Sequence, residues 1–109
     1  MCPRHQWPIF IQDKDGRVIY LTRERWEHAL DHPGMSDALL DVVLDVIRTG
    51  RRKQDRYDPY KYRYSKSVPG LPFDYTHVVV WVKFGWTRSE PVRENNFVLT
   101  AYLTREGVR

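Results

Sequence analysis

A chain of 109 residues with 41% hydrophobic and 29% charged residues is sized for one domain and one core, and is too apolar to remain disordered. Its longest unbroken apolar run, Val78 to Val82, is far short of the roughly 20 residues of a membrane helix, and a single cysteine, Cys2, cannot form an internal disulfide. With no apolar leader near Met1, these features predict a cytoplasmic protein whose core runs from about residue 7 to about residue 104.

Ile9 to Gln12 and Arg17 to Leu21 are short apolar-rich runs separated by Asp13-Lys14-Asp15-Gly16. An Asp-Gly ending between two such runs predicts a β-hairpin. Thr22 then caps a helix of about ten residues, with Trp26, Ala29 and Leu30 as its apolar stripe and Pro33-Gly34 as its stop. Ser36 caps a second helix reaching about Thr49, with Gly50 just past its end. Leu39, Val42, Val43, Val46 and Ile47 form its apolar face, widened by Leu40 and Leu44, and Asp37, Asp41 and Asp45 make a solvated row opposite.

After Gly50 the period shortens to that of strands. The segments from Arg51 to Arg56 and from Tyr60 to Ser65 read as two strands around Asp58-Pro59, followed by a Pro-Gly loop. Thr76 to Phe84 is the strongest strand, with Val78, Val80 and Val82 on one face and His77, Val79, Trp81 and Lys83 on the other. A polar loop leads to a last strand from Asn96 to Thr104. Strict alternation there assigns Phe97, Leu99, Ala101 and Leu103 to one face, and Val98, Thr100 and Tyr102 to the other. The order predicts an α+β domain: a hairpin and two helices packed on one face of an antiparallel sheet. The opposite face, displaying Thr100 and Tyr102, is the expected place for a site.

The net charge of +4 is unevenly distributed. Arg48, Arg51, Arg52, Lys53, Arg56, Lys61, Arg63 and Lys66 face only Asp55 and Asp58 within one short stretch, so the remainder of the chain is net acidic. Tyr57, Tyr60, Tyr62 and Tyr64 interleave with these cations. Cations meet phosphates and rings meet bases, so the pattern suits a nucleic acid. The candidate contacts are Arg51, Arg52, Lys53, Tyr60, Lys61, Tyr62, Arg63 and Lys66. The competing reading is a solvated strand pair whose charges protect an edge.

His28 and His32 lie four residues apart on the first helix, so both rings project from one side, where proton transfer near neutral pH is available to them. Ala29, not glutamate, follows His28, so the metalloprotease pattern fails and no metal or other cofactor is expected. Thr100 and Tyr102 add hydroxyls, and His77 and Lys83 join them only if the strands align. Cys2 is an isolated thiol. Trp81 and Trp86 read as core or loop contacts.

Trp26-x-His28-x-x-x-His32-Pro33, an apolar second helix, a basic strand ending in tyrosines, and Phe97-Val98-Leu99-Thr100-Ala101-Tyr102-Leu103-Thr104 resemble the phage-associated branch of the barnase–EndoU–colicin–RelE group. The resemblance spans about residues 17 to 104, although Gly34 stands where the family pattern has glutamate after His-Pro. It implies helices on an antiparallel sheet of about four strands, and a metal-independent ribonuclease toxin that cleaves RNA through its 2′-hydroxyl. On that basis His28 and His32 are the acid and base candidates, Arg56, with Arg51 or Arg52, the phosphate ligand, and Tyr64, Thr100 and Tyr102 positioning groups. The expected partners are RNA and an acidic protein such as an antitoxin. The alternatives are a non-catalytic nucleic-acid-binding module and a protein-interaction domain.

Overall fold

The computed structural model describes residues 6–105, so Cys2 lies outside it. The elements run β1 (Ile9–Gln12), β2 (Val18–Leu21), α1 (Arg23–Ala29), α2 (Leu40–Thr49), β3 (Arg51–Gln54), β4 (Lys61–Ser67), β5 (His77–Lys83) and β6 (Phe97–Thr104), with short 3-10 turns at Asp37–Leu39 and Pro72–Asp74. Together they form one α+β domain around a six-stranded sheet of order β1-β2-β6-β5-β4-β3. Every neighbouring pair is antiparallel except β2 and β6, which meet in parallel at Tyr20 and Phe97. The sheet is therefore mixed and six-stranded, where the family resemblance implied an antiparallel sheet of about four strands. Among the described residues, no helix is long and apolar enough to cross a membrane.

The short β2–β6 contact is reinforced by a buried amide. Asn96 Nδ2 donates to the Val18 carbonyl at 3.0 Å, and the Asn96 carbonyl accepts from Tyr20 N at 2.9 Å. Beyond that contact α1 takes the place of β2 beside β6. Thr22 caps α1, its hydroxyl accepting from Arg25 N at 3.2 Å. The helix is shorter than expected because its end tightens into i→i−3 bonds, Asp31 N to His28 O and His32 N to Ala29 O. Trp26 is buried, with its indole N–H satisfied by Asp37 at 2.8 Å.

α2 is the main cover of the sheet. It touches β1 at one end of the strand order and β4 and β5 towards the other, so the sheet wraps around it. Leu40 and Leu44 are buried alongside Val43, Val46 and Ile47, while Leu39 and Val42 are only half-buried. Residues 37 to 39 form a 3-10 turn and not the first α-helical turn, and this rotates the apolar face relative to the expected one. Gly50 is required between α2 and β3. A Cβ there would lie 2.4 Å from the Val46 carbonyl oxygen and 2.9 Å from that of Ser65; both are backbone atoms without freedom to move aside.

Among the described residues, the core holds one charged group. Asp13, at the β1–β2 turn, has a side chain only 1% exposed. It accepts from the Tyr64 hydroxyl at 2.6 Å, from the backbone of Asp15 and Arg17 at 2.9 Å each, and from the Arg17 guanidinium at 3.3 Å. Burial works to raise the Asp13 pKa, but these donors together outweigh it and hold the carboxyl below its ordinary value. Burial and the Asp13 carboxylate push the Tyr64 hydroxyl up, so it stays protonated as a donor. Tyr64→Phe should cost about 1–3 kcal/mol in urea unfolding at neutral pH. Because the folded-state pKa of Asp13 is depressed, its contribution is complete above the ordinary 3.8 and is lost as pH falls through the folded value. Unfolding measured down the acid limb should therefore show a shallower pH dependence in Asp13→Asn than in the natural chain.

Candidate nucleic-acid interface

The sheet face away from α2 is built in cross-strand rows. Phe10, Tyr20, Phe97, Lys83 and Lys61 lie opposite one another across β1, β2, β6, β5 and β4. The next row is Thr100, Trp81, Arg63 and Lys53, then Tyr102, Val79, Ser65 and Arg51, then Thr104, His77 and Ser67. A β-bulge sets this registry: Trp81 opposes Thr100 while Val82 opposes Val98, leaving Leu99 as the extra residue. Val98 therefore joins Ala101 and Leu103 in the core, and Phe97 joins the open face. Both positions are reversed from strict alternation.

Aromatic and cationic groups touch along these rows. The rings of Phe10 and Tyr20 are 5.8 Å apart, and those of Tyr20 and Phe97 are 6.0 Å apart. Lys61 Nζ sits 4.8 Å from the centre of the Trp81 ring, and the Arg63 guanidinium carbon 5.8 Å from it. Trp81 Nε1 donates to the Tyr102 hydroxyl oxygen at 3.0 Å. His32, beyond the end of α1, has Nε2 at 3.2 Å from Thr100 Oγ1, and its ring lies 5.5 Å from that of Tyr102. Pro33 and Gly34 follow. Gly34 has φ +83, where any larger residue is strained, and a Cβ there would come within 2.9 Å of the Leu103 side chain.

Two hollows open on the cationic half. One, of about 530 Å³, is bordered by Lys53, Arg56, Arg63 and Trp81. The other, of about 310 Å³, shares Lys53 and Arg63 and extends to Arg51, Ser65, Ser67 and His77. Among the described residues, none of Arg51, Lys53, Arg56, Lys61 and Arg63 has a carboxylate within ion-pair distance. Lys83 differs: it is bound by Asp58, whose carboxyl it holds below the usual range with help from the Tyr60 backbone N–H.

The structure brings together His32, Thr100, Tyr102, Arg56, Arg51, Lys53, Lys61 and Arg63 on or beside this face. It does not bring the side-chain ends of Arg52, Tyr62, Tyr64 or Lys66 there. Those four alternate onto the α2 side, because a strand sends successive residues to opposite faces. Tyr64 is buried on Asp13. The Arg52 guanidinium carbon stacks 3.5 Å over the Tyr62 ring, and Lys66 binds Asp45 at 2.7 Å and Thr49 at 2.8 Å. Tyr60 is exposed in the β3–β4 turn, 60% accessible. His28 is exposed, and its side chain makes no hydrogen bond or ring contact among the described residues. Trp81, Phe10, Tyr20, Ser65 and Ser67 belong to the face although sequence reasoning did not select them. For Trp81 the signal was present, since it shares strand parity with His77 and Lys83.

Among the described residues, no three His, Cys, Asp or Glu side chains gather as metal ligands. The chain matches no family model, no curated protein and no solved structure.

The two helical histidines thus sit in different surroundings. On brief treatment with diethyl pyrocarbonate, peptide mass spectrometry should find His28 modified faster than His32. Thr100→Val should raise the rate at His32 by removing its hydrogen-bond partner.

Proposed function

We propose that the protein binds single-stranded RNA across the open face of its sheet. The row Thr100–Trp81–Arg63–Lys53 carries this reading: a hydroxyl, an indole and two cations without carboxylate partners, in register on one surface. Cations without internal partners attract phosphates and release their counterions, and exposed rings accept bases on their faces. The Phe10–Tyr20–Phe97 row extends the stacking surface towards β1, and the hydroxyls of Thr100 and Tyr102 are partners for ribose 2′-hydroxyls. Fluorescence anisotropy with a labelled single-stranded RNA should give log affinity falling linearly with log salt. Arg63→Ala should reduce that slope by about 1. Trp81→Ala should weaken binding by about 1–3 kcal/mol at every salt concentration, with the slope retained. Affinity indifferent to salt and to both substitutions would overturn the proposal.

His32 favours a second reading, in which the bound RNA is cleaved as the toxin-group resemblance implies. His32 borders the face and engages Thr100, so its imidazole is the base candidate for a ribose 2′-hydroxyl laid across that threonine. The 2′-oxygen attacks the adjacent phosphorus and the bond to the 5′-oxygen breaks. The leaving oxygen takes a proton, and the new end is a 2′,3′-cyclic phosphate. Tyr102 is the donor candidate for that proton. Its oxygen already accepts from Trp81, which leaves its own O–H to donate. Arg63 and Arg56 neutralise charge on the phosphorane. RNA incubated with the protein in EDTA should yield cyclic-phosphate ends, and His32→Ala should abolish them with affinity unchanged. Intact RNA at high concentrations of folded protein would remove this reading and leave the binding function standing.

A further inference from the structure

We propose that the smaller hollow on the open face receives a terminal phosphate monoester of the bound strand. The source of the phosphate rests on the RNA-binding reading, while the chemistry of the hollow stands on its own residues. Three neighbouring cross-strand pairs, Arg51 with Ser65, Lys53 with Arg63, and Ser67 with His77, turn their side chains into a space of about 310 Å³. No carboxylate lines it. Arg51, Lys53 and Arg63 have no ion-pair partner among the described residues, and Arg63 Nε is buried without a hydrogen-bond acceptor. Lys66 also borders the space, but its ammonium is engaged by Asp45 and Thr49, so it is not the anion's ligand. The Thr76 hydroxyl lies 2.7 Å from His77 Nδ1, which orients the ring and leaves Nε2 for a ligand.

The donor set distinguishes an end phosphate from one within the chain. A phosphodiester offers two unesterified oxygens and one negative charge, and two cations with a hydroxyl suffice for it. A terminal monoester offers three such oxygens and nearly twice the charge near neutral pH. Three cations, two serine hydroxyls and an imidazole match the second inventory, and charge-assisted bonds of this kind are the stronger class. Thr49 and Gly50, at the end of α2, wall the space on one side, as suits a place where a strand stops.

The test compares one single-stranded RNA sequence with a 5′-phosphate, with a 3′-phosphate and with hydroxyls at both ends, by anisotropy. Calorimetry with inorganic phosphate runs beside it. The variants are His77→Gln and the double substitution Ser65→Ala with Ser67→Ala, which preserve the lysine and arginine charge, with melting curves to establish that they fold. One phosphorylated end should bind about tenfold more tightly than the hydroxyl form, and both variants should reduce it to the hydroxyl level. The readout is the ratio of phosphorylated to hydroxyl affinity within each variant, which cancels any loss of face contacts common to both forms. Equal affinity for all three RNAs overturns the end-phosphate site and leaves RNA binding intact. Inorganic phosphate bound by the natural chain and not by the variants, with no RNA bound in any form, upholds the hollow and overturns the RNA-binding face. Neither ligand bound overturns both.

Discussion

A carboxylate with almost no solvent contact would cost several kcal/mol if left without donors, and Asp13 determines how the two ends of this sheet must meet. Three of its donors are local: the backbone of Asp15 and Arg17, and the Arg17 side chain. The fourth is Tyr64, 51 residues away on β4. In strand order β1 and β4 are separated by three other strands, so a bond between the β1–β2 turn and β4 requires the sheet to curl. α2 fills the inside of that curl, touching β1, β4 and β5. The convex outer surface is then the open face, and its breadth follows from the bond made on the other side.

Much of this fold can be read from the sequence because its signals are local. The Asp-Gly turn, the Thr22 cap, the valine alternation of β5 and the stop at Gly50 each depend on a few neighbouring residues, and each of these signals marks a feature the structure contains. The parallel β2–β6 contact has no such signal, since it joins residues 77 apart at the single pair Tyr20 and Phe97. The bulge at Leu99 is also silent. Phe97-Val98-Leu99 is apolar throughout, so any phase fits, and only packing of Val98 against Val82 selects one. The open half of the candidate site depended on that choice. Thr100 and Tyr102 lie beyond the bulge and keep their assigned face, while Phe97 lies before it and changes sides.

The basic, tyrosine-rich stretch shows why residue content is a weaker guide than phase. Lys61-Tyr62-Arg63-Tyr64 looks like a mixed binding surface, but a period of two separates it into cations on one face and tyrosines on the other. The tyrosines then serve the interior: Tyr64 satisfies Asp13, and Tyr62 carries Arg52. The rings that stand beside the cations come instead from Trp81 on the neighbouring strand, and from Phe10, Tyr20 and Phe97 at the far end of the sheet. The mixed aromatic and cationic face is therefore assembled across the sheet, its rings supplied by four strands other than β4.

The cations divide by the same logic. Arg52 stacks on Tyr62, Lys66 closes on Asp45, Arg17 braces Asp13 and Lys83 is held by Asp58, so each of these is neutralised or stacked within the fold. Arg51, Lys53, Arg56, Lys61 and Arg63 have no such acidic partner among the described residues, and they cluster at the β3–β4 end. Leaving like charges side by side raises the energy of the free protein. An anion would lower that energy on arrival, so the repulsion stored in the unbound face would contribute to the phosphate binding we propose. α1 completes the arrangement by lying beside β6 and not across it. It seals the strand edge, leaves the outer surface bare, and delivers His32 to the rim where Thr100 and Tyr102 begin the path towards the cations.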